Sequence, residues 1–231
     1  MNDLSMFITP ASMIFVVVLI ITQIVQFNVR SKLNKYTKVD SLSGISGAEV
    51  AKYLLEQNNV NGVEIILAKR DGEDYYDPRA KRISLSRSNY LGSSVTALSV
   101  AAHETGHALQ HAYGYAPLNF RTTILPIASF SSNVSVLIFG IGMASGIPSL
   151  TDIGLVCMLF GILFSVLTLP VEFNASSRAK KMLTENNFIT QNNVRGVQSV
   201  LGAAALTYVA STAALVVSFL VRLAQRNSRR N

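Results

Sequence analysis

His103-Glu104-Thr105-Gly106-His107 is the stretch of this 231-residue chain whose residue types and spacing suit catalysis most directly. Residues i and i+4 share one face of a helix with Cβ atoms about 5–6 Å apart, so both imidazoles can reach a single ion. Zinc takes histidine nitrogen at about 2.0–2.1 Å, and a catalytic zinc keeps one position for water. Glu104 lies next round the helix, where its carboxylate can accept a proton from that water. The alternative is a satisfied pair of core histidines. A buried, mostly apolar helix is a costly place for two histidines and a glutamate without a partner. Chance alone would produce an HExxH in only about 0.2% of chains of this composition. The motif therefore predicts one zinc per chain, with His103 and His107 as ligands and Glu104 as base.

A catalytic zinc of this kind needs a third protein ligand. The longer pattern HExxHxxGxxH fails, because its glycine position is Gln110 and its last histidine position is Tyr113. His111 is i+4 from His107 but about 12 Å along the axis from His103, so it reads as a supporting or structural residue. Glu172 is the better candidate. It follows an apolar run directly, and a carboxylate at the end of a membrane helix is functional by default. A snorkelling interfacial glutamate is the alternative. Topology favours the ligand, since a transmembrane hairpin returns the chain to the side it left. Two histidines and a glutamate form the thermolysin-type ligand set.

The elements that must position these residues begin with four apolar runs. Charged residues make up only 14% of the chain, well below the roughly 25% of soluble domains, and mean hydropathy is +0.35. Residues 6–27 carry no charge, and as a helix they would reach about 33 Å, enough for a hydrocarbon core of about 30 Å. No basic residue precedes the run and no A-x-A site follows it, so it reads as an uncleaved anchor rather than a signal peptide. Residues 124–147 and 153–171 look like a transmembrane hairpin, and residues 200–221 form the fourth run, followed by a basic tail, 222–231. Gly142 with Gly146, and Gly140 with Ala144, are small-xxx-small pairs that could let helices approach closely. Incidental glycine in an apolar helix is the alternative. The single cysteine, Cys157, excludes an intrachain disulfide.

Residues 28–121 are the soluble-looking block. Ser46-Gly47-Ala48-Glu49 matches a capping box opening a helix. Residues 63–68 read as a strand, and the alternation of Ile83, Ser84, Leu85 and Ser86 as a half-buried one. A helix over about 94–113 carries the HExxH and should stop at Gly114. The expected fold is a mainly α membrane protein. Four transmembrane helices frame a small α+β zincin-like block inserted between the first and second, and residues 172–198 supply a third-ligand helix and loop.

The chain resembles the YugP-type bacterial membrane zinc metallopeptidases. The matching stretches are Tyr76-Asp77-Pro78-Arg79, Leu85-Ser86, Asn89-Tyr90, residues 101–110 around the HExxH, residues 169–175, and Leu206-Thr207-Tyr208-Val209-Ala210. The resemblance implies a neutral zinc metallopeptidase of the bacterial membrane, with His103, His107 and Glu172 as ligands and Glu104 as base. A more distant similarity is to membrane gluzincins that carry Glu-x-x-Ala-Asp after the HExxH. Here Glu172-Phe173-Asn174-Ala175 fits, but Ser176 stands where those enzymes use an aspartate to orient a ligand histidine. Asn174 and Arg178 are the other candidates for that task.

The primary reading is thus a multi-pass membrane peptidase acting near the bilayer surface on polypeptides, membrane proteins among them. Tyr208, Arg178 and His111 are candidate oxyanion donors. The stretch Ile83 to Ser86 could bind extended substrate by edge pairing. A zinc-holding membrane scaffold without turnover is the competing reading, disfavoured because a purely structural site gains nothing from Glu104. A channel is disfavoured because the apolar runs hold almost no ionisable residue. No aromatic-plus-basic repeat points to nucleic acid. Near the membrane, nine basic residues (Arg30, Lys32, Lys35, Lys38, Arg121, Arg178, Lys180, Lys181, Arg195) share the face of the zinc site. Arg222, Arg226, Arg229 and Arg230 lie on the other, so the positive-inside rule places the site in the cytoplasm.

Overall fold

The structure, a computed structural model, describes residues 10–41, 44–70 and 72–228. It is mostly helical. In chain order the elements are α1 (Pro10–Thr37), α2 (Gly47–Gln57), β1 (Glu64–Leu67), β2 (Tyr75–Asp77), β3 (Arg82–Leu85), α3 (Arg87–Tyr90), α4 (Val95–Ala112), α5 (Ala116–Ser145), α6 (Pro148–Glu185), a 3₁₀ turn at Gln191–Asn193, and α7 (Val194–Ser228). Four helices are long and apolar enough to cross a membrane: α1, α5, α6 and α7. Of the first predicted span, residues 6–9 lie outside the described residues. The chain divides into two compact units, one holding residues 120–169 and 207–228 with the start of α1, the other residues 27–119 and 170–206.

In the first unit the helices show lipid-facing character. Val16, Ile20, Ile24, Phe130, Leu137 and Leu163 are all exposed apolar side chains, as expected where lipid rather than water is the neighbour. Small residues set the α5–α6 packing, though not in the pattern the spacing suggests. Gly142 lies against the backbone of Thr151, and a Cβ on Gly154 would come within 2.6 Å of the Phe139 nitrogen. Gly146 instead ends α5 in the left-handed region at φ +67°, and a Cβ on Gly140 would meet nothing within 4 Å. The close approach is therefore made by glycines on facing helices, not by GxxxG on one. At the far end of α7, Arg226 donates from Nε to Asp152 Oδ1 at 2.6 Å and from Nη2 to Oδ2 at 2.8 Å. Arg222 lies over the Phe139 ring, 5.5 Å from its centroid.

The second unit is built around α4. Ser46 caps α2 in a complete capping box with Glu49, and Ser94 caps α4 by accepting from the Ala97 N–H. Gly114, at φ +65°, follows the end of α4. One side of α4 meets the sheet and α2 through Ala101 and Ala108, packed with Ala51, Leu55, Ile83 and Leu85. Its other side meets the later helices through Leu98, Ala102 and Leu109, packed with Ala179, Leu183, Val197 and Leu201. Both faces are covered, which explains why this helix carries small apolar residues all round.

The sheet order is β1-β3-β2. β3 pairs parallel with β1 and antiparallel with β2. This corrects the expected substrate edge strand. Ile83 and Ser84 sit in the central strand paired with both β1 and β2, Leu85 pairs with β1, and Ser86 follows buried with its N–H given to Asp74. The free edges belong to β1 and β2. The β2 strand was missed because it is three residues long, next to a turn signal at Asp77-Pro78.

Gly106 marks where α4 meets the α6 segment after Pro170. A Cβ there would lie 2.9 Å from the Ala175 carbonyl oxygen and 3.3 Å from its Cα. The obstacle is backbone on both sides, so relief requires the helices to part. Gly106→Ala is expected to destabilise the protein by about 1–3 kcal/mol despite alanine's better helix propensity. Thermal unfolding of the metal-free protein in detergent checks this. An unchanged or raised midpoint would show that the helices are not held this close.

Candidate metal centre

The donors of the centre come from two helices. His103 and His107 are one turn apart on α4. Glu172 lies on α6, which continues past Pro170 to Glu185, so the apolar run and the carboxylate share one helix. Val171, Ala175, Ala179 and Leu183 on that segment are fully buried. Their spacing of four puts one stripe against the core and holds Glu172 next to it.

Glu172 Oε2 lies 3.3 Å from His103 Nε2 and 3.5 Å from His107 Nε2. One donor atom from each of the three residues falls within 4.8 Å of the others. The two rings meet edge to face with centroids 4.7 Å apart. Two donors about 2.0–2.1 Å from one ion at the tetrahedral angle sit about 3.3 Å apart, so these separations fit zinc. Burial argues the same way. Glu172 is 2% exposed, and a carboxylate taken from water needs compensating charge or hydrogen bonds. Two imidazoles and a carboxylate with nitrogen and oxygen atoms converging on one point are a donor set suited to a borderline-soft divalent cation.

Glu104 is buried beside them. Burial pushes its pKa above the ordinary carboxylate range, and the charges of Glu172 and Asp74 add to this, while His103 and His107 pull the other way. At His107 burial opposes the charged ring, but the Glu172 hydrogen bond and the Glu104 and Glu172 charges outweigh it, so its pKa is raised.

The remaining hydrogen bonds hold the rings from behind. The Ser176 hydroxyl is 3.2 Å from His103 Nδ1, so the serine at the gluzincin aspartate position does touch a ligand candidate. His107 Nδ1 is 3.0 Å from Gln110 Oε1. Asn174 and Arg178 bond to each other rather than to either ring: Arg178 Nε donates to Asn174 Oδ1 at 2.8 Å, and Asn174 Oδ1 also accepts from Gln110 Nε2. His111 stands apart from the cluster, its Nδ1 bonded to the Tyr76 hydroxyl at 2.8 Å. Tyr208 belongs to the membrane-helix unit. Sequence reasoning missed Gln110, although a polar residue three after His107 on a buried helix was a usable signal. Tyr76 was missed as His111's partner because its strand was not recognised.

The comparisons with known proteins agree with this chemistry. The family model described as "Putative neutral zinc metallopeptidase" matches residues 11–227. The "Putative membrane protease YugP" of Bacillus subtilis (strain 168) is 45% identical over 194 residues, which cover 84% of this chain and 85% of that protein. No solved structure matches significantly. With the match running through both units and including every donor of the metal centre, the chain belongs to this neutral zinc metallopeptidase family.

Proposed function

We propose that the protein is a membrane-embedded zinc endopeptidase of gluzincin type, holding one zinc by His103, His107 and Glu172 and hydrolysing peptide bonds near the bilayer surface. The observation that carries this reading is the convergence of those three donors, with Glu104 buried beside them. Zinc bound there supplies a Lewis acid and lowers the pKa of water towards about 7. Glu104 accepts the proton of the attacking water and later passes it to the leaving amine. Its raised pKa suits that task, because a base tuned towards neutrality both takes and returns a proton readily. Ser176 and Gln110 hold the ligand rings from behind. Measurement of zinc content together with cleavage of a generic unfolded protein tests the reading. Stoichiometric zinc without any cleavage would favour the scaffold instead.

The site is proposed to face the cytoplasm, with membrane proteins or segments emerging from the bilayer as substrates. The nine basic residues on its side of the membrane support this. The tail arginines are the conflict, and Arg226 eases it. Its two-point pairing with Asp152 joins the end of α7 to the start of α6. That supports a fully crossing α7, with the tail on the same side as the α5–α6 turn. In a Cys157→Ala background, Ser228→Cys should be labelled by an impermeant thiol reagent on intact cells, and Ser88→Cys should not. Labelling at position 88 would reverse the orientation.

A further inference from the structure

Gln110 touches neither the metal position nor a substrate as read above, yet it is wholly buried and its amide is fully engaged. Nε2 donates to the Val171 carbonyl at 2.9 Å and to Asn174 Oδ1 at 2.9 Å. A backbone carbonyl can only accept, so the first bond fixes which end of the amide is nitrogen. The second is fixed independently. Asn174 Oδ1 accepts from Arg178 Nε, and a guanidinium can only donate, so the Asn174 amide cannot be turned round. Gln110 Oε1 must therefore face His107 Nδ1, 3.0 Å away. An amide oxygen can only accept, so Nδ1 carries the proton. His107 Nε2 is the nitrogen turned towards Glu172. His103 is held differently. Its Nδ1 meets the Ser176 hydroxyl, which can donate or accept and so imposes no tautomer.

We propose that Gln110, clamped by the Val171 carbonyl and the Asn174–Arg178 pair, is a positioning residue that holds the His107 ring with Nδ1–H bonded behind it and Nε2 turned towards Glu172 before any metal binds. The purpose of the device rests on the zinc reading, whereas its geometry does not. A ring already turned, with Nδ1–H already held, loses less freedom when it takes the ion, and changes behind a metal ligand typically cost about 10–100-fold in affinity.

The test is ring-nitrogen NMR of metal-free, ¹⁵N-histidine-labelled protein at about pH 9, well above the ordinary imidazole range. The chain has 3 histidines, so the spectrum is small. Wild-type His107 is expected as Nδ1–H. Gln110→Met keeps the bulk and removes the acceptor. It should lose this tautomer preference and bind zinc about 10–100-fold more weakly in chelator competition. A residue that only fills space would leave the Gln110→Met ring pattern unchanged, and that result overturns the proposal. So does wild-type His107 found as Nε2–H, which requires no variant to fold. Nδ1–H at His107 in a protein that takes up no zinc would support the relay while removing the zinc reading.

Discussion

Glu104→Gln is expected to lower peptide hydrolysis by about 10²–10⁴-fold while zinc content stays near that of the parent. The expectation follows from where the carboxylate sits. Glu104 is buried on α4 between the two histidines in sequence, but the converging donor atoms are those of His103, His107 and Glu172. The amide of glutamine matches the carboxylate in size and preserves packing, yet it cannot accept a proton from water at neutral pH. Turnover should therefore fall without loss of the ion. Cleavage of an unfolded protein, with metal analysis on the same preparation, separates the two effects. Near-normal turnover would remove Glu104 from the chemistry. Loss of zinc together with activity would place it in the metal shell.

Removing a ligand should have the opposite signature. His103→Ala and His107→Ala are each expected to abolish stoichiometric zinc, and Glu172→Ala to weaken it by at least about 100-fold, since partners one step further out already cost up to that much. Loss of the Glu172 carboxylate also relieves the buried charge that the two imidazoles compensate. The metal-free Glu172→Ala protein should accordingly stay folded, and its defect should appear in zinc affinity rather than in helix content. Undiminished zinc in both histidine variants would refute the site. Parental affinity in Glu172→Ala would return the third position to another donor.

The centre was legible in the sequence in proportion to how local its geometry is. His103 and His107 converge because a helix brings residues four apart onto one face, which spacing alone reveals. The four apolar helices are equally readable, because hydrocarbon demands length and apolarity whatever surrounds them. The capping box at Ser46 and the glycine after α4 are likewise rules of single helix ends. Glu172 lies 69 residues from His103, and a hairpin argument could bring it to the right side of a membrane but not to 3.3 Å from an imidazole nitrogen. That distance depends on how α4 packs on the α6 segment, where Gly106 meets the Ala175 backbone. Strand order escaped the sequence for a related reason. Alternation in Ile83-Ser84-Leu85-Ser86 shows a pleat, but which strand is central depends on pairings with β1 and β2 that no local pattern encodes. The support behind the rings was least visible of all. Ser176 could be placed by its spacing from Glu172, whereas the orientation of Gln110 is dictated by a carbonyl and an arginine from another helix. Only tertiary packing decides it, because a hydrogen bond's direction depends on which donors and acceptors the fold sets facing each other.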